Sequence, residues 1–218
     1  MPKHVSHVLT MMLCVLMVLP AIGQDPTWTK EIDNRLVRVS RRKVAARETV
    51  ASDNPGPVLL VFLTDYSVQV GGTGPKQKLA GTPGEVLWHE SGRLTLENLS
   101  AQTLEVAGVM PRFGATPSYT LATPGRGDSI KLENDFIRVQ RFFVPAGVRK
   151  VKTRGPVVIF QFAPAHIKFT YNNGHVEEAR MNAGESRFDA AGTFTFENLG
   201  DRLNVMRIDL KTSQEDHE

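Results

Sequence analysis

Gly84-Glu85-Val86-Leu87-Trp88-His89-Glu90-Ser91-Gly92-Arg93-Leu94-Thr95-Leu96-Glu97-Asn98-Leu99 has a second copy one hundred positions later, Gly184-Glu185-Ser186-Arg187-Phe188-Asp189-Ala190-Ala191-Gly192-Thr193-Phe194-Thr195-Phe196-Glu197-Asn198-Leu199. Both copies open on Gly-Glu, carry a further glycine at 92 or 192, and run out through Thr-x-Glu-Asn-Leu. Gly84, Gly92, Gly184 and Gly192 suit tight turns, because glycine enters the left-handed backbone region without steric cost. Leu94-Thr95-Leu96-Glu97 and Phe194-Thr195-Phe196-Glu197 alternate apolar with polar, as a strand with one face in a core must. Asn98 and Asn198, each following Glu97 or Glu197, are expected to end that strand by bonding backbone in the next turn.

The rest of the chain repeats in the same order. Asn34-Arg35-Leu36-Val37-Arg38-Val39-Ser40-Arg41 returns as Asn134-Asp135-Phe136-Ile137-Arg138-Val139-Gln140-Arg141, and the strand-like Val58-Leu59-Leu60-Val61 as Val157-Val158-Ile159-Phe160. The first of these runs is too short for a helix and apolar throughout, so it reads as a strand buried on both faces. Tyr66 to Val70 leads into a Gly-rich hairpin, and Ile167 to Tyr171 into Asn172-Asn173-Gly174, where Asn-Gly is a strong two-residue turn signal. No segment shows helical periodicity. The chain therefore reads as all-β, with two similar domains at 28–110 and 131–211. A Gly/Pro/Ser/Thr-rich linker joins them at 111–130, and a polar tail follows at 212–218. Gln24 to Lys30 reads as a polar lead-in. The basic run Arg38, Arg41, Arg42, Lys43 reads as protection of an exposed strand edge.

Residues 1–23 have the layout of a secretory signal: Lys3, an apolar run from Val8 to Leu19, then Ala21 and Gly23. The run is well short of the roughly 20 residues that a membrane span needs. Cleavage would export the chain to the periplasm or the exterior, without a membrane anchor and without Cys14, its one cysteine. It would also remove Lys3 and no acid, taking the net charge from +3 to +2, which is no footprint for nucleic acid.

The stretch G-E-V-L-W-x-x-x-G-x-x-x-x-E-N-L resembles the second conserved motif of the cupins, and two such units in tandem resemble a bicupin. The resemblance implies two tandem jelly-roll β-barrels. It also implies a metal held by two histidines and a glutamate of a first motif and one histidine of the second. That last position falls at Leu94 and Phe194 counted back from Asn, or Thr95 and Thr195 counted forward from Gly. The first-motif windows, Ala46–Gly56 and Ala146–Pro156, contain no histidine. Outside residues 1–23 there remain only His89, His166, His175 and His217, scattered. A transition metal needs several such ligands converging at about 2.0–2.3 Å. The sequence thus predicts a metal-free bicupin with no cofactor, acting as a small-ligand-binding or protein-interaction module without catalysis, and with a homodimer as a possible assembly. The alternative is a metal-dependent oxygenase or isomerase using carboxylates such as Glu48, Glu85 or Glu185.

Arg149, Lys150 and Lys152 stand where the first motif would place metal ligands, which makes them the candidate anion-binding residues. The blander reading, a solvated lead-in to the strand at Val157, is preferred, since burying unpaired like charges is costly. In the first half Arg47 and Glu48 could neutralise one another. His89 reads as a turn residue, and His166 and His175 as solvated. Arg126-Gly127-Asp128-Ser129 and the sequon Asn98-Leu99-Ser100 are set aside, the first as a chance match in a linker and the second because it lies in the structural turn.

Overall fold

The computed structural model describes residues 28–72, 74–112, 129–153, 155–189 and 194–211, with backbone alone for 145–153 and 202. Residues 1–23, the polar tail 212–218, Gly192 and most of the 111–130 linker lie outside the described residues. The described elements are all strands, and every pairing is antiparallel.

The first half holds β1 (Thr29–Asp33), β2 (Val37–Val44), β3 (Thr49–Asn54), β4 (Val58–Phe62), β5 (Tyr66–Gly71), β6 (Gln77–Gly81), β7 (Val86–His89), β8 (Gly92–Asn98) and β9 (Leu104–Pro111). They form two sheets, ordered β1-β2-β9-β4-β7 and β3-β8-β5-β6. The second half holds β10 (Ser129–Glu133), β11 (Ile137–Thr153), β12 (Val157–Gln161), β13 (Ala165–Tyr171), β14 (Val176–Met181), β15 (Ser186–Asp189) and β16 (Phe194–Leu210). Here β11 runs through the ground that β2 and β3 divide, and β16 through that of β8 and β9. The join is irregular, with register breaks between Pro145 and Gly147 and between Gly147 and Val151. In the first half the same join is a turn carrying Arg47 at φ 64°.

Alternation along the strands assigns each apolar side chain to one of three cores. Val58, Leu60 and Phe62 of β4 face the interior of barrel 1, with Val44, Val68, Leu94, Leu96 and Val106. Val157 and Ile159 of β12 face the interior of barrel 2, with Phe142, Phe169, Phe194 and Phe196. Leu59 and Val61 point the other way and meet Val158 and Phe160 in a third core lying between the barrels. That is why β4 and β12 are buried on both faces.

Arginines latch the two barrels at related places. Arg141 donates to Pro83 O at 2.7 Å, and Arg41 donates to Gly184 O. Gly84 has φ +86° and lies directly under the Arg141 guanidinium, so a side chain there would be both strained and in collision. Ser186 Oγ donates to Glu31 at 2.7 Å, and Trp88 packs on Phe136 with ring centroids 5.7 Å apart.

Two expectations are corrected. The basic run on β2 is not an edge, because β1 and β9 flank it on both sides. Arg38 pairs with Asp33 at 3.5 Å, Arg41 with Glu31 at 2.5 Å and Glu105 at 2.9 Å, and Arg42 with Glu48 at 3.5 Å. Thr29 and Lys30 are likewise not a lead-in but the start of β1, paired opposite Arg41 and Ser40.

Candidate functional site

Inward-facing residues of barrel 1 pack tightly at one end and stand apart at the other. Between Arg38 and Ser40 of β2, Ser52 and Asn54 of β3, Val58 and Leu60 of β4, Leu94 of β8, and Gly108 and Met110 of β9, they leave a cavity of about 430 Å³. Trp28 and Lys30, at the start of β1, close one side, and Asp53 stands at the rim. The floor is aliphatic. Ser52 Oγ donates to Asn54 Oδ1 at 2.9 Å, which engages the amide oxygen and leaves Nδ2 as its remaining donor. That Nδ2 and the Trp28 indole N–H are both buried and have no hydrogen-bond partner among the described residues.

Gly108 is what opens the cavity. It sits opposite Ser40 in the β2–β9 register and opposite Leu60 in the β4–β9 register. The equivalent place in barrel 2 is Arg207, opposite Gln140 and Ile159. Arg207 donates to Asp209 Oδ2 at 3.0 Å and to Gln140 Oε1, and lies over the Phe142 ring at 5.2 Å. Burial pushes the Asp209 carboxyl up from its ordinary value, and Arg207 partly offsets that. One barrel is thus plugged by its own polar side chains where the other is open.

At the other mouth the contrast reverses. In barrel 2, Arg187 donates to Glu177 at 2.8 Å and 2.7 Å and to the Tyr171 hydroxyl at 2.7 Å, while Tyr171 donates to Asp189 at 2.8 Å. The Arg187 guanidinium also stacks over Phe169 at 4.3 Å. Burial, with the bond to Asp189, pushes the Tyr171 hydroxyl up to about 12. The hydrogen bond from Arg187 holds the Glu177 carboxyl down to about 2. A carboxyl depressed in the folded state stabilises it above the unfolded value near 4.5, and that contribution is lost as pH falls toward 2. Glu177→Gln should therefore flatten the loss of stability over that acid window, as read from urea melts at stepped pH. An unchanged profile would show that the pair contributes nothing. In barrel 1 the corresponding side chains are Gln77, Leu87 and His89, which line a smaller hollow of about 250 Å³.

The positions singled out by the family resemblance are apolar and buried by one count and half-buried threonines, Thr95 and Thr195, by the other. Leu94 is 3% exposed and Phe194 0%, and each lies within its barrel's core. Glu48 accepts from Ala45 N at 2.6 Å and pairs with Arg42, not with Arg47 as predicted. Glu85 accepts from Tyr66 at 2.7 Å, and Glu185 from Asn182 Nδ2 at 2.6 Å. Among the described residues no three His, Cys, Asp or Glu side chains converge as metal ligands. The described residues do not fit the metal that the fold implies. Arg149, Lys150 and Lys152 fall on β11, with Lys152 opposite Thr195, and their side chains lie outside the described residues. His166 comes within 3.2 Å of Glu178, and His175 is exposed with its ring stacked on Tyr171.

Within the repeated motif, Gly84, Gly92 and Gly184 take positive φ, Glu97 accepts from Gln69 at 3.0 Å, and Glu197 stands opposite Lys168. Asn98 ends β8 and bonds backbone in the next turn as expected, whereas Asn198 lies inside β16 and does not end it, although its Oδ1 accepts from Gly200 N at 2.9 Å. Sequence reasoning missed Trp28, Asn54, Gly108, Arg207 and Asp209. Aligning β9 against the end of β16 would have exposed Gly108 against Arg207 and Met110 against Asp209.

No family model matches the sequence, and no curated protein matches it. Solved structures do match. AerE from Microcystis aeruginosa superposes with a TM-score of 0.64 at 10% identity, over 85% of this chain and 97% of that one. Salicylate 1,2-dioxygenase from Pseudaminobacter salicylatoxidans gives 0.62 at 11% identity, over 92% and 81%. A cupin 2 conserved barrel domain protein from Leptotrichia buccalis gives 0.52 at 10%, over 85% and 88%. At such identities the likeness speaks for the fold and not for an activity. With its doubled motif, its two jelly-roll barrels and these neighbours, the chain has the fold of a bicupin.

Proposed function

We propose that the chain is an exported, metal-free bicupin that binds a small molecule in barrel 1 and performs no catalysis. The observation that supports this is the asymmetry at one register position. Gly108 leaves a half-open, mostly apolar pocket with two spare donors, while Arg207 fills its counterpart. A pocket of this size with a few convergent polar groups suits small-molecule binding. The lining offers no imidazole and no nucleophile–base pair, and the carboxylates suggested as substitute metal ligands are spent on Ala45, Tyr66 and Asn182.

The test is an unbiased thermal-shift screen of the natural chain beside Gly108→Leu. A Cβ at Gly108 would stand 3.3 Å from the Trp28 ring and 3.4 Å from Val58 Cγ2, so leucine has to push the Trp28 ring aside as it fills the cavity, and the variant's own melt without ligand is the baseline. A ligand present at about a hundred times its Kd should stabilise the natural chain by about 2.7 kcal/mol. Gly108→Leu should lose that gain. Hits that stabilise both alike would remove barrel 1 from the account, and stoichiometric iron, manganese or zinc in the purified protein would overturn the metal-free reading.

A further inference from the structure

The unsatisfied groups of the barrel 1 pocket are all of one kind. The Trp28 indole N–H can only donate, and Asn54 has its oxygen already engaged by Ser52, leaving its Nδ2. Buried donors without an acceptor are rare in folded proteins, because nothing offsets their desolvation. The charged lining points the same way: Lys30 and Arg38 stand against Asp53, which is exposed on the rim. Asp33, the acid paired with both Lys30 and Arg38, lies outside the lining and is also paired with Arg112, so three cations share that one carboxylate.

The second barrel shows what such a place accommodates. Arg138 lies directly opposite Asp209 across the β11–β16 ladder, and the Asp209 carboxylate is buried among Arg207, Arg138 and the core. Arg38, at the same position of barrel 1, lies opposite Met110, and the open pocket begins there. Barrel 2 supplies a carboxylate of its own where barrel 1 has a thioether and space.

We propose that the barrel 1 pocket takes a small organic acid, its carboxylate held by Arg38, Lys30, the Trp28 indole N–H and the Asn54 amide, and its apolar body resting on Val58, Leu60 and Leu94. This rests on the reading of that pocket as the chain's ligand site. A carboxylate accepts at both oxygens and engages guanidinium and N–H donors more strongly than a neutral carbonyl does. The aliphatic floor excludes acids that are polar throughout, since hydroxyls placed there would find no partner.

The chain has two tryptophans, so an amide-correlation NMR spectrum contains two indole N–H signals, and that of Trp88 is occupied by Glu90 at 2.8 Å. Benzoate and hexanoate should shift the Trp28 signal and leave the Trp88 signal in place, and their neutral isosteres benzamide and hexanamide should bind about tenfold more weakly or worse. Arg38→Gln should weaken benzoate about tenfold and leave benzamide unchanged. Trp28→Phe, which keeps an aromatic ring and removes the donor, should weaken benzoate severalfold. Acids and amides binding alike would overturn the choice of an acid, and neutral hits lost in Gly108→Leu would keep the pocket while doing so. Benzoate binding undiminished in Gly108→Leu would put the acid elsewhere, and no binding by either acid would overturn the proposal outright.

Discussion

Arg207→Met is expected to destabilise the protein by about 3–5 kcal/mol, because it leaves one member of a buried ion pair behind. Both side chains are 4% exposed, and Arg207 also satisfies the Gln140 amide oxygen and covers the Phe142 ring. The remaining carboxylate would be held in a low-dielectric interior with only Arg138 as a neighbouring cation, and it would take up a proton more readily. Its folded-state value is already raised by burial, and losing Arg207 raises it further. A carboxyl raised on folding binds more protons in the native state than in the unfolded one, so stability increases as pH falls through the raised value. The deficit of Arg207→Met should therefore shrink on moving from about pH 7 toward pH 4. Pairing the two changes that copy barrel 1, Arg207→Gly with Asp209→Met, should recover part of the loss by removing the stranded charge. Urea melts at two pH values measure all of this. A single variant within about 0.5 kcal/mol of the natural chain would show that the pair is not structural.

Asn98→Ala is the second large effect. This side chain is 0% exposed and ties the end of β2 to the turn that follows β8. Its Nδ2 donates to Val44 O and Ala45 O at 3.1 Å each and to Gln102 O at 2.7 Å, and its Oδ1 accepts from Ser100 N at 3.0 Å and Ser100 Oγ at 2.8 Å. Removing it strands Val44 O in the interior and takes a partner from Ala45 O, Gln102 O and Ser100 N nearer the surface, at about 1–3 kcal/mol for each buried group left without a partner. A total of about 3 kcal/mol is expected, after some relaxation of the exposed Gln102 turn. Asn98→Asp is the sharper control, because it keeps the shape but turns an acceptor toward three carbonyl oxygens. It should be at least as harmful as alanine. If aspartate were tolerated, the donor role of Asn98 would be wrong and its place in the turn would be a matter of shape alone.

The doubled architecture was legible because its signals are local. The glycines at 84 and 184, the alternation in β8 and the Asn after it each act within a few residues, and their recurrence one hundred positions on makes chance an inadequate explanation. β1 and β10 were not legible. A register shift between Lys30 and Ile32, matched between Ile130 and Leu132, breaks the alternation that would have marked them as strands. Without β1 the arginines of β2 had no visible partners, so they read as an exposed edge. The loss of the second-motif histidine could be read directly, since Leu94 and Phe194 by one count, and Thr95 and Thr195 by the other, leave no imidazole there. The pocket could not. It is assembled from Trp28, Asn54 and Gly108, which are far apart in the chain and meet only across two sheets, and its decisive residue contributes no side chain at all.

The core between the barrels draws seven residues from each half, from Leu36 to Val109 on one side and from Ile137 to Leu210 on the other. A ribosome delivers these in order, so the first barrel emerges complete in its own strands yet with a greasy sheet face bare. That face stays uncovered until β16 has left the exit tunnel, because Met206, Ile208 and Leu210 are among the last described residues of the chain. Nascent chains halted between the two barrels should therefore stick to one another or to a holdase, whatever the finished protein binds.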